Sequence, residues 1–227
     1  MDLLTGLQAY WKFEESSDNL YDSHGSKNFI PAGGTFTYGL AGINGNCISP
    51  PDYNPYAYSN SGLGTSIGDL SISLWVNFSH DIMSLFSIGR YNENNHLAIK
   101  IDNYILTAYI ITKSGWTNSW DECSVSGING AWHNVIFIRD MTNGKQELYI
   151  DGSLEQSVTS LNIAGSLSVS DKFFLYDWAL SSLSQWSRYY GKSVNRTHRV
   201  DEIAVYNTVL NSEQITALAG GTYYENF

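Results

Sequence analysis

Residues 70 to 78 constrain the fold more than any other stretch of the chain. Leu70, Ile72, Leu74, Val76 and Phe78 alternate with Ser71, Ser73, Trp75 and Asn77. A period of two places the five apolar side chains on one face of an extended strand, and such a face needs a second layer to cover it. The same alternation recurs at Leu7-Ala9-Trp11-Phe13, at Leu97-Ile99-Ile101 and over residues 105 to 111, where β-branched and aromatic residues favour strands. Asn143-Gly144 separates the run 132 to 139 from 146 to 150, and Asp151-Gly152 follows at once. Both dipeptides supply the positive φ angles of tight hairpins, so a meander of three antiparallel strands is predicted over residues 132 to 158.

A helix is written clearly only near the C-terminus. Asn211 is placed to cap a first turn, Gln214 stands three residues later as its box partner, and Leu210 with Ile215 forms a hydrophobic staple. Gly220 and Gly221 end it. The expected helix, residues 212 to 219, presents Ile215 and Leu218 to the strands. No repeat, low-complexity tract or Pro-rich linker divides the 227 residues, and β-sandwiches of roughly 200 to 250 residues fold as one domain. Residues 1 to 227 are therefore read as a single all-β domain.

Composition narrows the function. The formal net charge is -10, with only 12 Lys+Arg, which repels phosphate backbones and anionic headgroups; neither nucleic acid nor membrane is an expected partner. No apolar run is long enough to span a bilayer. If Met1 is the natural start, the opening Met1-Asp2-Leu3-Leu4 lacks the basic and apolar regions of a signal peptide. Charged residues make up 15% of the chain, against about 25% on average, so Ser, Asn, Gly and Tyr must supply much of the surface. Cys47 and Cys123 match no metal-binding spacing and are read as two unpaired, buried thiols.

Four stretches in order resemble the laminin-G-like domains of the concanavalin-type superfamily. They are Leu7-Gln8-Ala9-Tyr10-Trp11-Lys12-Phe13 with Tyr21-Asp22-Ser23-His24-Gly25, then Ile72-Ser73-Leu74-Trp75-Val76, then Trp132-His133-Asn134-Val135 with Leu148-Tyr149-Ile150-Asp151-Gly152, and last Arg199-Val200-Asp201-Glu202-Ile203-Ala204-Val205-Tyr206 with the capped helix. The resemblance covers residues 7 to 220. It implies an antiparallel two-sheet jelly-roll sandwich with one short C-terminal helix. It also implies that Asp22 and Asp201 lie together and bind a structural calcium ion, with Asn28 as a further oxygen ligand. A competing reading of the same residues has Asp22 and Asp201 bonding nearby backbone amides.

Catalytic signals are weak. Five scattered histidines, His24, His80, His96, His133 and His198, form no zinc-binding pair, and the resemblance makes His133 a packing position. Paired carboxylates on one strand would signal glycan hydrolysis, but Glu147-Leu148-Tyr149-Ile150-Asp151 is wrongly spaced for that. No nucleophile elbow or phosphate loop is present. The chain is read as a non-enzyme.

Residues 177 to 198 exceed an ordinary strand connection and hold Trp178, Trp186, Arg188, Tyr189 and Tyr190; a second aromatic segment holds Trp116 and Trp120. Such rings stack on sugars and also dominate protein interfaces. The leading expectation is a non-catalytic glycan- or surface-binding adhesion module, at a virion surface or outside the cell. The alternatives are a bacteriophage fibre or capsid-decoration protein, contacting other virion proteins or itself as a homo-oligomer, and an unrecognised glycan hydrolase or lyase.

Overall fold

The computed structural model describes residues 2–50, 56–64, 66–78, 83–89, 95–102, 104–114, 117–128, 130–159, 167–168, 172–176 and 198–222. In chain order the strands are β1 (Leu7–Trp11), β2 (Phe29–Gly33), β3 (Thr37–Ala41), β4 (Asn46–Ser49), β5 (Tyr56–Ser59), β6 (Ser66–Ile67), β7 (Leu70–Phe78), β8 (Met83–Ile88), β9 (Asn95–Asp102), β10 (Ile105–Ser114), β11 (Thr117–Ser126), β12 (His133–Asp140), β13 (Lys145–Ile150), β14 (Ser153–Thr159), β15 (Leu167–Ser168), β16 (Phe173–Leu175) and β17 (His198–Tyr206). A single helix among the described residues, α1 (Ser212–Ala219), follows β17. None is long and apolar enough to cross a membrane.

Two antiparallel sheets carry the fold. One has eight strands, β14-β13-β12-β7-β17-β4-β3 with β1 added beside β17; the other has seven, β11-β10-β9-β8-β16-β5-β2. The apolar face of β7 points between them: Leu70, Ile72, Leu74, Val76 and Phe78 join Leu97, Ile99, Ile101, Phe86, Phe173 and Leu175 in one buried cluster. Trp11 sits within it against Phe29, ring centroids 4.6 Å apart, and edge-on to Phe173 at 5.5 Å, its indole N–H bonded to the Lys27 carbonyl at 2.9 Å. The edges β11 and β14 close one side, where the Ser124 amide donates to Gln156 Oε1 at 2.6 Å.

The outer face of the eight-stranded sheet is capped by α1. Asn211 and Gln214 form the expected capping box, and Ile215 and Leu218 pack with Leu210, Ile136, Ile138 and Tyr206. This cover explains why the polar alternates of β7 are buried as well. Ser71 Oγ donates to the Thr208 carbonyl at 2.7 Å and accepts from the Leu210 amide at 3.1 Å, while Ser73 accepts from Asn134 Nδ2 at 3.2 Å.

The meander forms as expected, but its two turns differ. Asp151 and Gly152 both take positive φ, at 50° and 81°, in a two-residue hairpin, whereas in the turn over 141 to 144 only Gly144 does, at 59°. The expected single-face alternation in β1 is broken. A register shift between Leu7 and Ala9 puts Leu7 with Tyr10 under the helix, while Ala9 and Trp11 face the core. Cys47 and Cys123 are free and buried, and burial pushes each thiol up to about 12.

Candidate functional site

Asp22 follows β1 and is joined to Trp11 by a β-bridge. Its Oδ1 accepts from the amides of Tyr10 and His24, both at 3.0 Å, and its Oδ2 from that of Lys27 at 3.0 Å; its own amide donates to Asn28 Oδ1 at 3.0 Å. Asp201 lies on β17 where the register shifts against β7. Its Oδ2 accepts from the amides of Ile43 at 2.9 Å and Asn44 at 3.3 Å, and its Oδ1 from that of Glu202 at 2.9 Å. Burial pushes the Asp201 carboxyl up to about 7 against these three amides.

Asp201 thus belongs to a clamp on the turn 42 to 46. Asn44 Nδ2 donates to Glu202 Oε1 at 3.1 Å, the Tyr10 hydroxyl donates to Glu202 Oε2, and Glu14 accepts from the amide and side chain of Asn46, both at 3.0 Å. Gly42 is required there, since a Cβ would lie 2.3 Å from Asp201 Oδ2. Calcium needs six to eight oxygens with lone pairs turned towards it. Here N–H groups occupy that space, so Asp22, Asn28 and Asp201 as placed do not fit a calcium ligand set. Among the described residues no group of three or more His, Cys, Asp or Glu side chains is placed to hold a metal.

Two other candidates are also committed to structure. His133 Nδ1 lies 2.8 Å from Asp151 Oδ2, and Asp151 Oδ1 accepts from the Asn134 amide at 2.8 Å, which ties the start of β12 to the β13–β14 turn. Glu147 pairs with Lys145 at 2.6 Å and accepts from the Tyr149 hydroxyl at 3.0 Å.

Of the aromatic candidates, Trp116, Trp178, Trp186, Arg188, Tyr189 and Tyr190 lie outside the described residues. Trp120 is on β11, paired with Ile111 of β10, which pairs with His96 of β9. In chain order residues 115–116 join β10 to β11 of the seven-stranded sheet, and 177–197 run from β16 of that sheet to β17 of the eight-stranded one.

Register reveals what alternation alone hides on that sheet. Tyr58, Phe174, Ser87, Ala98, Tyr109 and Glu122 stand opposite one another, strand by strand, across β5, β16, β8, β9, β10 and β11. Their strand neighbours face the core, so this row lies on the outer face, where Ala98, Tyr109 and Ile111 form a separate cluster. Aromatic rings stand at either side, with small Ser87 and Ala98 as a floor between them. Strand spacing puts Tyr58 and Tyr109 roughly 19 Å apart.

Polar groups collect on this face. The hydroxyls of Ser87 and Ser84 are buried and have no hydrogen-bond partner among the described residues. His96 is buried edge-on to Tyr109, centroids 5.7 Å apart, and burial pushes it down to about 4, so it is neutral at pH 7. Lys172 Nζ lies 4.8 Å from the Tyr58 ring centroid and Lys100 Nζ 5.5 Å from that of Tyr109. Ser87 and Ala98 are 0% exposed, and Tyr109 and Phe174 are buried, so the middle of the row is closed to solvent, while Tyr58, Lys100 and Lys172 at its margins are half-exposed. Reading the chain strand by strand misses these residues, because Ser87 and Ala98 become a floor only when flanking strands bring rings beside them.

Comparison with known proteins fits this architecture. No curated protein matches the sequence. Among solved structures, the receptor binding domain of botulinum neurotoxin D aligns with TM-score 0.71 and 15% identity over 95% of this chain and 52% of that one. The binding domain of Paraclostridial Mosquitocidal Protein 1 aligns with TM-score 0.71 and 14% identity, over 95% and 52%. A structure of botulinum neurotoxin type C, whose cell entry depends on interaction with two ganglioside molecules, aligns with TM-score 0.71 and 14% identity, over 97% and 52%. The chain spans about half the length of these structures, and at such identity the likeness is one of fold. By sequence, residues 51–216 match the family described as the concanavalin A-like lectin/glucanases superfamily. With most of its length inside that match, and the two-sheet sandwich on which it rests, the chain belongs to the concanavalin A-like lectin/glucanases superfamily.

Proposed function

We propose that the chain is a non-catalytic module that binds a glycan at the margin of the outer face of its seven-stranded sheet, beside Tyr58. The observation that carries this reading is the half-exposed ring of Tyr58, with Lys172 Nζ 4.8 Å from its centroid, on a sandwich of the lectin and glucanase superfamily. A half-exposed aromatic face beside a cation suits the apolar face and hydroxyls of a sugar ring, just as few polar groups among apolar walls orient ligands in general. Toxin binding domains of the same fold, one tied to ganglioside interaction, give the reading precedent. The carboxylates Asp22, Asp201 and Glu147 are each bonded to backbone or neighbouring side chains, which leaves them poorly placed for acid–base work on a ligand.

Titration against a panel of glycans tests the proposal. Wild-type protein is expected to bind at least one panel member without releasing product. Tyr58→Ala, at a half-exposed ring, should weaken that binding about tenfold with an unchanged thermal midpoint. Silence across the panel, or binding indifferent to Tyr58, would overturn it.

A further inference from the structure

The chain holds the Asn-Gly dipeptides Asn44-Gly45, Asn129-Gly130 and Asn143-Gly144. In such a pair the backbone nitrogen of the glycine attacks the side-chain carbonyl carbon of the asparagine. That nitrogen gives up its proton, the new N–C bond forms, and the side-chain nitrogen leaves with the proton as ammonia. Water then opens the cyclic imide at either carbonyl, to aspartate or isoaspartate, which is one reason asparagine is thermolabile. We propose that Asn44 is a site of this modification, that it reacts before Asn143, and that its conversion opens the clamp on the turn 42 to 46. Asn129 lies outside the described residues.

The two described turns differ in the bonds that restrain the reaction. In the turn 141 to 144 the Asn143 amide donates to Asp140 Oδ1 at 2.9 Å and its side chain to Asp140 Oδ2 at 2.7 Å. The attacking nitrogen, that of Gly144, donates to the Met141 carbonyl at 3.3 Å. In the turn 42 to 46 the corresponding bonds of the asparagine are longer: the Asn44 amide to Asp201 Oδ2 at 3.3 Å and Nδ2 to Glu202 Oε1 at 3.1 Å. The Gly45 nitrogen donates to no acceptor among the described residues. A nitrogen that must shed its proton and turn towards a new carbon is held back by a hydrogen bond it donates. Gly144 carries that restraint and Gly45 does not. Asn44 is half-buried rather than sealed, so water reaches the imide.

The fold keeps this dipeptide for reasons of its own. Gly45 takes a φ of 66°, where a side chain is strained, and the Glu14 carboxylate fills the place of a Cβ. Asn44 supplies a donor to Glu202. The product does not suit the clamp. Aspartate at 44 replaces that donor with a like charge, in a turn already held by the carboxylates of Asp201, Glu202 and Glu14. Isoaspartate also adds a backbone carbon to a turn closed by the Gly42 amide on the Gly45 carbonyl at 3.0 Å. At Asn143 the new charge is offset in part by Lys145, whose field already reaches Asp140.

Storage of the whole chain at mildly alkaline pH and body temperature, with peptide mapping and urea denaturation of the same samples, tests the proposal. Mapping is expected to show the 44–45 peptide converting ahead of the 143–144 peptide, with isoaspartate among the products. The ratio of folded to unfolded chain should fall roughly tenfold for converted molecules. Asn44→Asp, made directly, should show a similarly lowered midpoint. If that variant fails to fold, storage of the native chain still decides, since the chain starts folded. Asn44→Gln keeps the amide but must close a larger ring, and should hold its own starting midpoint through storage. Conversion of the 143–144 peptide first overturns the assignment. Converted chain with an unchanged midpoint, or Asn44→Gln that loses stability on storage as fast as wild type, overturns the link to the clamp.

Discussion

The outer faces of the two sheets treat buried polar groups in opposite ways. Over the eight-stranded sheet, Ser71 bonds the Thr208 carbonyl and the Leu210 amide, and Ser73 takes an N–H from Asn134. At the end of the same sheet Asp201 holds three amides, and Asp22, bridged to its edge strand β1, holds three more. Over the seven-stranded sheet, the serines at matching outward positions, Ser84 and Ser87, have no partner among the described residues. Burial without satisfaction destabilises a fold. The first face satisfies its buried polar groups within the fold, and the second leaves two hydroxyls unsatisfied among the described residues.

Deleting polar side chains on the two faces should break the symmetry of outcome. Asp22→Ala removes the acceptor of three amides from a buried position. At roughly 1 to 3 kcal/mol for each buried donor left unpaired, partly relieved by water, the loss is about 4 kcal/mol. Urea denaturation reads it as a lower midpoint at unchanged slope. A loss below about 1 kcal/mol would mean that the amides find water readily, and would remove the contrast between the faces.

The faces should also answer pH with opposite signs. Burial pushes His96 down to about 4, below its unfolded value near 6.5. The native state then binds fewer protons than the unfolded one between those values, so stability is complete above about 6.5 and falls as pH drops towards 4, by about 3 kcal/mol. Asp201, pushed up to about 7, works the other way: stability is complete below about 4 and falls as pH rises towards 7. The wild-type profile between pH 4 and 6.5 is therefore flatter than either group alone would make it. His96→Gln should expose the Asp201 slope, stability declining steadily from pH 4 to 7. A variant that tracks wild type across this window would show that His96 is not perturbed in the way its burial implies.

How much of this was legible in the sequence depends on the range of the interaction involved. The β7 alternation, the Asp151–Gly152 hairpin and the Asn211–Gln214 box are set within a few residues, and each took its expected form. The single face assigned to β1 failed because the register shift beside Leu7 depends on β17, some two hundred residues away. For Asp22 and Asp201 two readings were open, and amides from the turn 42 to 46 and from residues 24 to 27 favour backbone bonding. The outer row of the seven-stranded sheet was invisible for the same reason: it takes one residue from each of six strands spread over residues 58 to 174. Aromatic side chains clustered in sequence drew the eye to the connections instead.

Ser87→Ala gives the smallest effect and the sharpest reading of the contrast. The hydroxyl is fully buried and without a partner, so its removal restores no lost bond and relieves a desolvated dipole. The stability of the protein should hold or rise by up to about 1 kcal/mol. The same exchange at Ser71, whose oxygen bonds both Thr208 and Leu210, should lower stability by about 1 to 2 kcal/mol. Thermal melts on the two variants separate the cases. If Ser87→Ala destabilises the free protein as Ser71→Ala does, its hydroxyl already has a partner within the fold, and the seven-stranded face loses the feature that set it apart.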